Sequence, residues 1–402
     1  MKLFYYKDPN KPLCYFNTDK QVIIPDTYKS KKLRALWVSN VVNIDMPTTE
    51  NIEVYENKAL EIISTCKAYN INTIFFQVRT TNDAFYESKL NPYSRYYTGK
   101  EGKKPPYDCF KWLLELAKKA NIEVHGWCNP YRISSIKNMT IDEYLETCDD
   151  LNFAKRNKDV ICLANDGKLI LNPAKEEVKQ FIVDSMIELA TNYDVAGVHF
   201  DDYFYPYEGF KEGADDLEEF EKRSDKNENL GDFRRRQITD VIKRVHKAIK
   251  PLGKQFGVSP FGIWMNKESN PLGSNTDSKC SQSFDNQYAD SYLWVKEGYI
   301  DYIVPQCYWD FGHKLAPFAD LILWWVNLCK GTDVDLYIGH GAYRLGTEDT
   351  EYANPMEVAN QLKYANQYNE VKGNIFFTYK TFIDKEKCME GMKEVKKLLN
   401  CK

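Results

Sequence analysis

Two adjacent carboxylates, Asp201 and Asp202, end the apolar run Gly197-Val198-His199-Phe200 and lead into Tyr203-Phe204-Tyr205-Pro206. Close carboxylates push each other's pKa apart, so one can keep a proton near neutrality while the other stays anionic. Glycoside cleavage needs that division: an acid to protonate the leaving oxygen and an anion to stabilise an oxocarbenium-like transition state. If the run is a strand, alternation puts Gly197, His199 and Asp201 on one face and Val198 and Phe200 on the other, with Asp202 opening the next loop. The two acids then point in different directions. Direct attack by one Asp fits, as does a substrate-assisted route in which a sugar's 2-acetamido group attacks, one Asp orients it and the other protonates the leaving oxygen. A structural use also fits, with one Asp capping the next helix or pairing with Arg79 or Arg132.

A strand that delivers acids to a mouth needs neighbours that end at the same place. From Leu33 onward the chain alternates apolar strand candidates (33–39, 73–78, 123–128, 197–201, 255–259, 302–308, 336–341 and 374–379) with amphipathic stretches. The latter lie near 53–69, 108–120, 174–192, 232–250, 285–297, 317–329, 355–368 and 385–399. The third reads as a well-marked helix start: Asn172 as cap, Pro173 at the first helical position, and Glu176 and Glu177 in the first turn. Eight strands and eight helices in alternation predict the α/β class, with a parallel sheet closed into a (β/α)8 barrel. A doubly wound open sheet is disfavoured, because Trp37-Val38-Ser39-Asn40 stands where a glycine-rich phosphate turn would follow the first strand. Residues 1–32, broken by Pro9, Pro12 and Pro25, read as a short N-terminal extension, and 33–402 as the barrel domain. Long connections at 79–107, 129–171 and 203–231 all follow strands, on the face where barrels build their sites.

The shared mouth would gather Trp37 and Asn40; Gln77 and Arg79; His125, Trp127, Asn129, Tyr131 and Arg132; and His199 and Tyr203 beside the acids. Later strands would add Ser259 and Trp264; Gln306, Tyr308, Trp309 and Asp310; His340, Tyr343 and Arg344; and Tyr379. Such a lining suits an oligosaccharide. Trp127, Trp264 and Trp309 offer stacking platforms, while Gln77, Arg79, Asn129 and Arg132 can fix hydroxyls. No metal or organic cofactor is called for, since the first strand lacks the His-x-His of metal-dependent barrel hydrolases. Cys128 and Cys307 are poor candidates for a nucleophile, and the acidic block 215–221 reads as a solvated loop helix, lacking the spaced ligands and central Gly of a calcium loop.

A net charge of -4 argues against a nucleic-acid or anionic-membrane partner. The longest apolar run, 321–326, is far too short to span a bilayer. Lys7, Asp8 and Pro9 interrupt any signal-type segment, and eleven cysteines without a C-x-x-C pair read as free thiols, so a cytoplasmic location is expected. Two other functions suit the same mouth: a glycan-binding barrel without turnover, and a metal-dependent deacetylase or amidohydrolase.

Several collinear motifs sharpen the reading. They are Arg34-Ala35-Leu36-Trp37-Val38; Phe76-Gln77-Val78-Arg79 with Asp83-Ala84-Phe85-Tyr86; and Pro92-Tyr93-Ser94-Arg95-Tyr96. To these are added His125-Gly126-Trp127 with Asn129-Pro130-Tyr131-Arg132, Leu171-Asn172-Pro173, the acid-bearing stretch 197–206, and Pro305-Gln306-Cys307-Tyr308-Trp309. Together they resemble the bacterial glycosyl-hydrolase-like family ten. The resemblance implies a (β/α)8 glycosidase fold and action on peptidoglycan strands stripped of their peptides. Members are typically exported whereas a cytoplasmic location is expected here, so recycled wall fragments or another oligosaccharide stay open as substrates. The chain is also distantly similar to chitinase-type barrels, which carry acids after the fourth strand and a Tyr-Asp after the sixth that holds an N-acetyl group; by that likeness Tyr308 and Asp310 would hold an acetamido group. The Asp-x-Asp-x-Glu run of those enzymes is missing.

Overall fold

Eight short runs of aliphatic and aromatic residues form the frame: β1 (Leu33–Val38), β2 (Thr73–Arg79), β3 (Glu123–Cys128), β4 (Gly197–Phe200), β5 (Gln255–Val258), β6 (Tyr302–Ile303 with Gln306–Cys307), β7 (Asp335–His340) and β8 (Val371–Phe376). The computed structural model describes residues 1–137 and 139–401. Asn138, inside the 129–171 connection, and Lys402, the end of the expected barrel domain, lie outside the described residues. Each strand pairs in parallel with its neighbour, β8 pairs back onto β1, and β6 bridges β5 and β7, so the sheet closes into the expected (β/α)8 barrel. Pro305 sits in the break of β6, where its missing N–H removes a ladder bond.

The surrounding helices are α1 (Ile52–Ala68), α2 (Cys109–Lys119), α3 (Glu176–Asn192), α4 (Leu230–Ile249), α5 (Ser291–Lys296), α6 (Phe318–Cys329), α7 (Glu357–Asn366) and α8 (Met389–Leu399). Each lays an apolar stripe on the sheet; on α3 it is Val178, Phe181, Ile182, Met186 and Leu189, at helical spacing. Helix starts move by a few residues from expectation, α8 from 385 to Met389, and at two of them the cause is local. Asn172 caps a tight turn, its Oδ1 accepting from the N–H of Ala174 at 2.9 Å, and α3 begins only at Glu176. The stretch 285–297 splits because Tyr288 takes a left-handed φ of 52°; Asp290 then caps α5 through the N–H of Leu293.

Strand alternation divides the interior in two. Ala35, Trp37, Phe75, Trp127, Tyr302, Tyr337 and Ile375 fill the barrel, while Leu36, Val38, Phe76, Val198 and Phe200 face the helices. Gly257 makes room for this filling, because a Cβ there would overlap the ring of Tyr302. Residues 1–32 form an antiparallel hairpin (Phe4–Tyr5 with Asp8–Pro12) and a tail that bury Leu3, Leu13, Val22 and Ile24. Tyr15 reaches the hydroxyl of Tyr364 on α7, and the N–H of Phe16 donates to Asp320 on α6. A second hairpin, Ile161–Leu163 with Leu169–Leu171, stands in the connection after β3. A fourth long connection, 259–290, joins the three expected ones.

Candidate active site

The C-terminal ends of the strands converge on a cavity of about 380 Å³. Alternation explains the central contributors: Trp37 from β1, Gln77 from β2, Trp127 from β3, Asp201 one residue past β4, Ser259 one past β5 and Gln306 from β6. Arg132, Asp202, Tyr203, Tyr308, Trp309, Tyr343 and Arg344 also line it. One wall is aromatic. Phe377 is its hub, with ring centroids 6.0 Å from Trp37, 6.4 Å from Trp127, 5.9 Å from Tyr308 and 5.9 Å from Tyr343. Phe261 and Trp309, edge to face at 5.3 Å, form another wall.

The acids are held differently. Asp201 is 4% exposed, and both its oxygens are engaged. Trp127 Nε1 donates to Oδ2 at 3.0 Å, Asn129 Nδ2 to Oδ1 and Oδ2 at 3.0 and 3.2 Å, and the Tyr203 N–H to Oδ1 at 3.2 Å. Asn129 is itself oriented by the Arg132 N–H, which donates to its Oδ1 at 2.8 Å. Burial raises the Asp201 carboxyl above the usual range, while the Arg132 charge and these donors pull it back toward the anion. Asp202, 6% exposed, accepts a hydrogen bond from the Tyr207 hydroxyl on Oδ2. Burial and then the neighbouring Asp201 charge push its carboxyl up to about 6, against the opposing hydrogen bond of Tyr207 and the nearby Gln306 amide. One acid is thus clamped as an acceptor and the other is poised to carry a proton.

Beneath them lies a buried relay. His199 Nε2 meets Ser259 Oγ at 3.0 Å, its Nδ1 lies 3.3 Å from Tyr302 Oη, and that hydroxyl lies 2.9 Å from His125 Nδ1. Burial lowers both imidazoles, His125 to about 3, so they stay neutral. On the opposite side Gln77 Oε1 accepts from Ser39 Oγ and from the N–H groups of Asn40 and Val41. Its Nε2, with no hydrogen-bond partner among the described residues, is thereby fixed as a donor in the wall.

Not every expected residue reaches the cavity. Asn40 is buried behind the wall, donating to the Gln77 carbonyl; Asn129 supports Asp201 and His199 supports Ser259 from behind. Arg79 faces outward, because the register slips between Gln77 and Arg79 and reverses its side. There it bonds Asn82 and the carbonyls of Asn129 and Pro130 and lies over Phe181 of α3. Tyr131 is buried against Phe204. Trp264 is carried down the outside by the chain after Pro260, where it stacks between Tyr292 and Trp324 and bonds Asp290. Asp310 turns away because the chain leaves β6 at Cys307 and buries Phe311 in the core; it lies beside Tyr5 and Glu351 in a different groove, apart from Tyr308. His340 bonds Gln361 and Asn374, and Tyr379 begins a short helix rather than ending β8. The acidic block, expected to be solvated, buries two of its acids: Asp216, bonded by Tyr205 and paired with Arg234 of α4, and Glu219, paired with Lys175. Unforeseen lining residues are Ser39, which continues the alternation of Trp37 one residue past β1, and Val41, Ile44, Tyr207, Phe261 and Phe377, farther beyond strand ends where alternation stops giving direction.

Comparison with known proteins fits this geometry. A family profile described as Glycosyl hydrolase-like 10 matches residues 32–354. The chain belongs to the glycosyl hydrolase-like 10 family. Among proteins similar to this chain, "Glycosyl hydrolase YngK" of Bacillus subtilis (strain 168) is 36% identical over 357 residues, 87% of this chain and 68% of that one. "Glycosyl hydrolase DigH" of Escherichia coli (strain K12) is 33% identical over 369 residues, 87% and 83% of the two chains. The barrel of this chain is also similar in fold to the PgaB (BpsB) glycoside hydrolase domain from Bordetella bronchiseptica, with TM-score 0.56, 10% identity, and 93% and 100% of the chains covered. Alpha-L-fucosidase isoenzyme 2 from Paenibacillus thiaminolyticus matches with TM-score 0.52 and 11% identity over 91% of this chain; this chain spans about half, 48%, of that one. No helix among the described residues is long and apolar enough to cross a membrane.

Proposed function

We propose that this glycosyl hydrolase-like 10 protein is a glycoside hydrolase acting on a glycan that contains N-acetylhexosamine, with peptide-free peptidoglycan strands or fragments as the first substrate to test. The observation that carries the reading is the unequal holding of the acid pair within an aromatic cavity. Asp202, with its carboxyl pushed up to about 6, donates its proton to the leaving glycosidic oxygen. Asp201, clamped by Trp127, Asn129 and the Tyr203 N–H, supplies the fixed negative charge that the oxocarbenium-like transition state requires. Its oxygens are already committed to donors, which suits an orienting and stabilising role, including toward an attacking 2-acetamido group, better than direct attack. Water then adds to the anomeric carbon and returns its proton to Asp202. The rings around Phe377 give the sugar its apolar face.

The test is to incubate the protein with peptide-free peptidoglycan strands and with chito-oligosaccharides and to read the products by mass. Asp201→Asn and Asp202→Asn are each expected to reduce turnover by roughly 10²–10⁴-fold; melting should be unchanged or raised in Asp202→Asn, which removes a buried charge, and lowered in Asp201→Asn, whose amide nitrogen meets donors that the carboxylate accepted from. Tight binding with no new reducing ends from the parent would instead leave a glycan-binding barrel.

A further inference from the structure

A second cavity, of about 300 Å³, lies on the far side of Tyr203. Arg132, Tyr203 and Tyr207 line both cavities, so they form a partition that each side shares. The far wall comes from the hairpin after β3, through Ala164, Lys168 and Ile170. Tyr203 is 43% exposed, stands edge-on to Tyr207 at 5.6 Å, and lies beneath the Arg132 guanidinium at 4.4 Å. Among the described residues that guanidinium makes a single hydrogen bond, a long one of 3.4 Å to the Thr80 carbonyl. It therefore keeps donors for a ligand on either side.

The acids belong to the first cavity alone, yet their contacts run into the partition. The Tyr207 hydroxyl donates to Asp202, the Tyr203 N–H donates to Asp201, and the Arg132 charge acts on Asp201. The carboxylates thus stand against the boundary between the two spaces, not at the closed end of one. A glycan that crossed this boundary would set the bond beside the acids with one flanking unit in each cavity. The two volumes are comparable, and each lies at the lower end of the range of ligand pockets, about 300–1,000 Å³. The lining of the second is also of sugar-binding kind: an exposed tyrosine, Pro206 and Ile170 for apolar ring faces, Arg132 as a donor, and the Lys168–Asp166 pair (2.6 Å) with Glu208 as polar groups for hydroxyls.

We infer that the second cavity binds the sugar on the other side of the scissile bond from the unit held among the aromatics of the first. The inference rests on the glycosidase reading. It makes Tyr203 and Arg132 the residues that touch both sugars, and it makes the hairpin after β3 part of the substrate site. A substrate too short to cross the partition forfeits these contacts.

Calorimetry on the Asp202→Asn variant, which binds without turnover, tests this with chito-oligosaccharides from the disaccharide to the hexasaccharide. Affinity is expected to rise by about tenfold or more once the chain fills both cavities. Ile170→Trp, which fills the second cavity from the hairpin, should abolish that rise, and Lys168→Glu, on the same wall and accessible to solvent, should weaken it several-fold. Near-ultraviolet circular dichroism checks that the hairpin is intact; Lys168→Glu serves if Ile170→Trp disturbs it. Affinity independent of length, or a rise that survives both substitutions, overturns the inference. Failure of the glycosidase reading shows separately, as a parent protein that releases no new reducing ends while the length-dependent affinity persists.

Discussion

Replacing Tyr207 by Phe isolates one oxygen from an otherwise unchanged cavity. The ring stays packed near Tyr203 and Phe261, at 5.6 and 6.2 Å, but the hydrogen bond to Asp202 is lost. That bond favours the anionic form of Asp202, so its loss raises the carboxyl further above its present value of about 6. A hydrogen bond to a charged group contributes about 1.5–3 kcal/mol, and one pKa unit corresponds to about 1.4 kcal/mol. The expected shift is therefore upward by about one to two units. If Asp202 is the general acid, it must be protonated for catalysis, and the basic limb of kcat/KM against pH reports its titration in the free enzyme. The parent limb should fall near 6 and that of Tyr207→Phe near 7–8, measured on a soluble glycan across pH 4–9. The acids titrate as a pair, so the limb belongs to their shared second proton loss. A limb that stays in place or moves down refutes Asp202 as the proton donor. Movement of the acidic limb alone would point to Asp202 as the required anion instead.

Three other perturbations probe the scaffold. Glu357, buried beside Asp310 at the start of α7, has its carboxyl pushed up to about 8 by burial and then by that neighbouring charge. Its folded pKa exceeds its unfolded one, so the stability it lends is complete below about 4.5 and is lost as pH rises through about 8; Glu357→Gln should flatten the fall in Tm between pH 5 and 9, and an unaltered slope would contradict this. Asp216→Ala leaves Arg234 buried without its carboxylate and should cost about 3–5 kcal/mol in urea unfolding, whereas a loss below about 1 kcal/mol would show the pair to be incidental. Phe377→Ala should raise KM about tenfold by removing the hub of the aromatic wall, while Trp264→Phe, far from the cavity, should leave KM unchanged; equal effects would count against the cavity as the sugar site.

Alternation made the barrel and the centre of its mouth readable. Trp37, Gln77, Trp127, Asp201 and Gln306 all sit where a two-residue period places them, and all five face the cavity. The same rule failed where the backbone stopped obeying it. One slipped register after Gln77 sends Arg79 to the helix side. Beyond the last ladder bond there is no period to extrapolate, so Trp264, Asp310 and Tyr379 were expected at the mouth while Phe261, Tyr207 and Phe377 occupy it. Asp216 read as solvated because its partner, Arg234, lies eighteen residues away on α4, and composition carries no record of such pairings. The asymmetry of Asp201 and Asp202 was hidden for a related reason. It depends on donors drawn from β3 and from a loop backbone N–H, which only the closed barrel brings together.

The buried Asp216–Arg234 pair also bears on how substrate binding is driven. Arg234 lies over Tyr205, Phe210 and Tyr288, with its guanidinium 5.0–5.4 Å from their ring centres, and Tyr205 bonds Asp216. The loop that carries Tyr203 and Tyr207 is therefore tied to α4 before any glycan arrives. Ordering a loop residue costs about 1–2 kcal/mol of backbone entropy, and here that cost is met during folding. On the proposed glycosidase reading, the binding energy of each sugar then appears as affinity and as alignment against the acids, rather than being absorbed by freezing the surface that receives it.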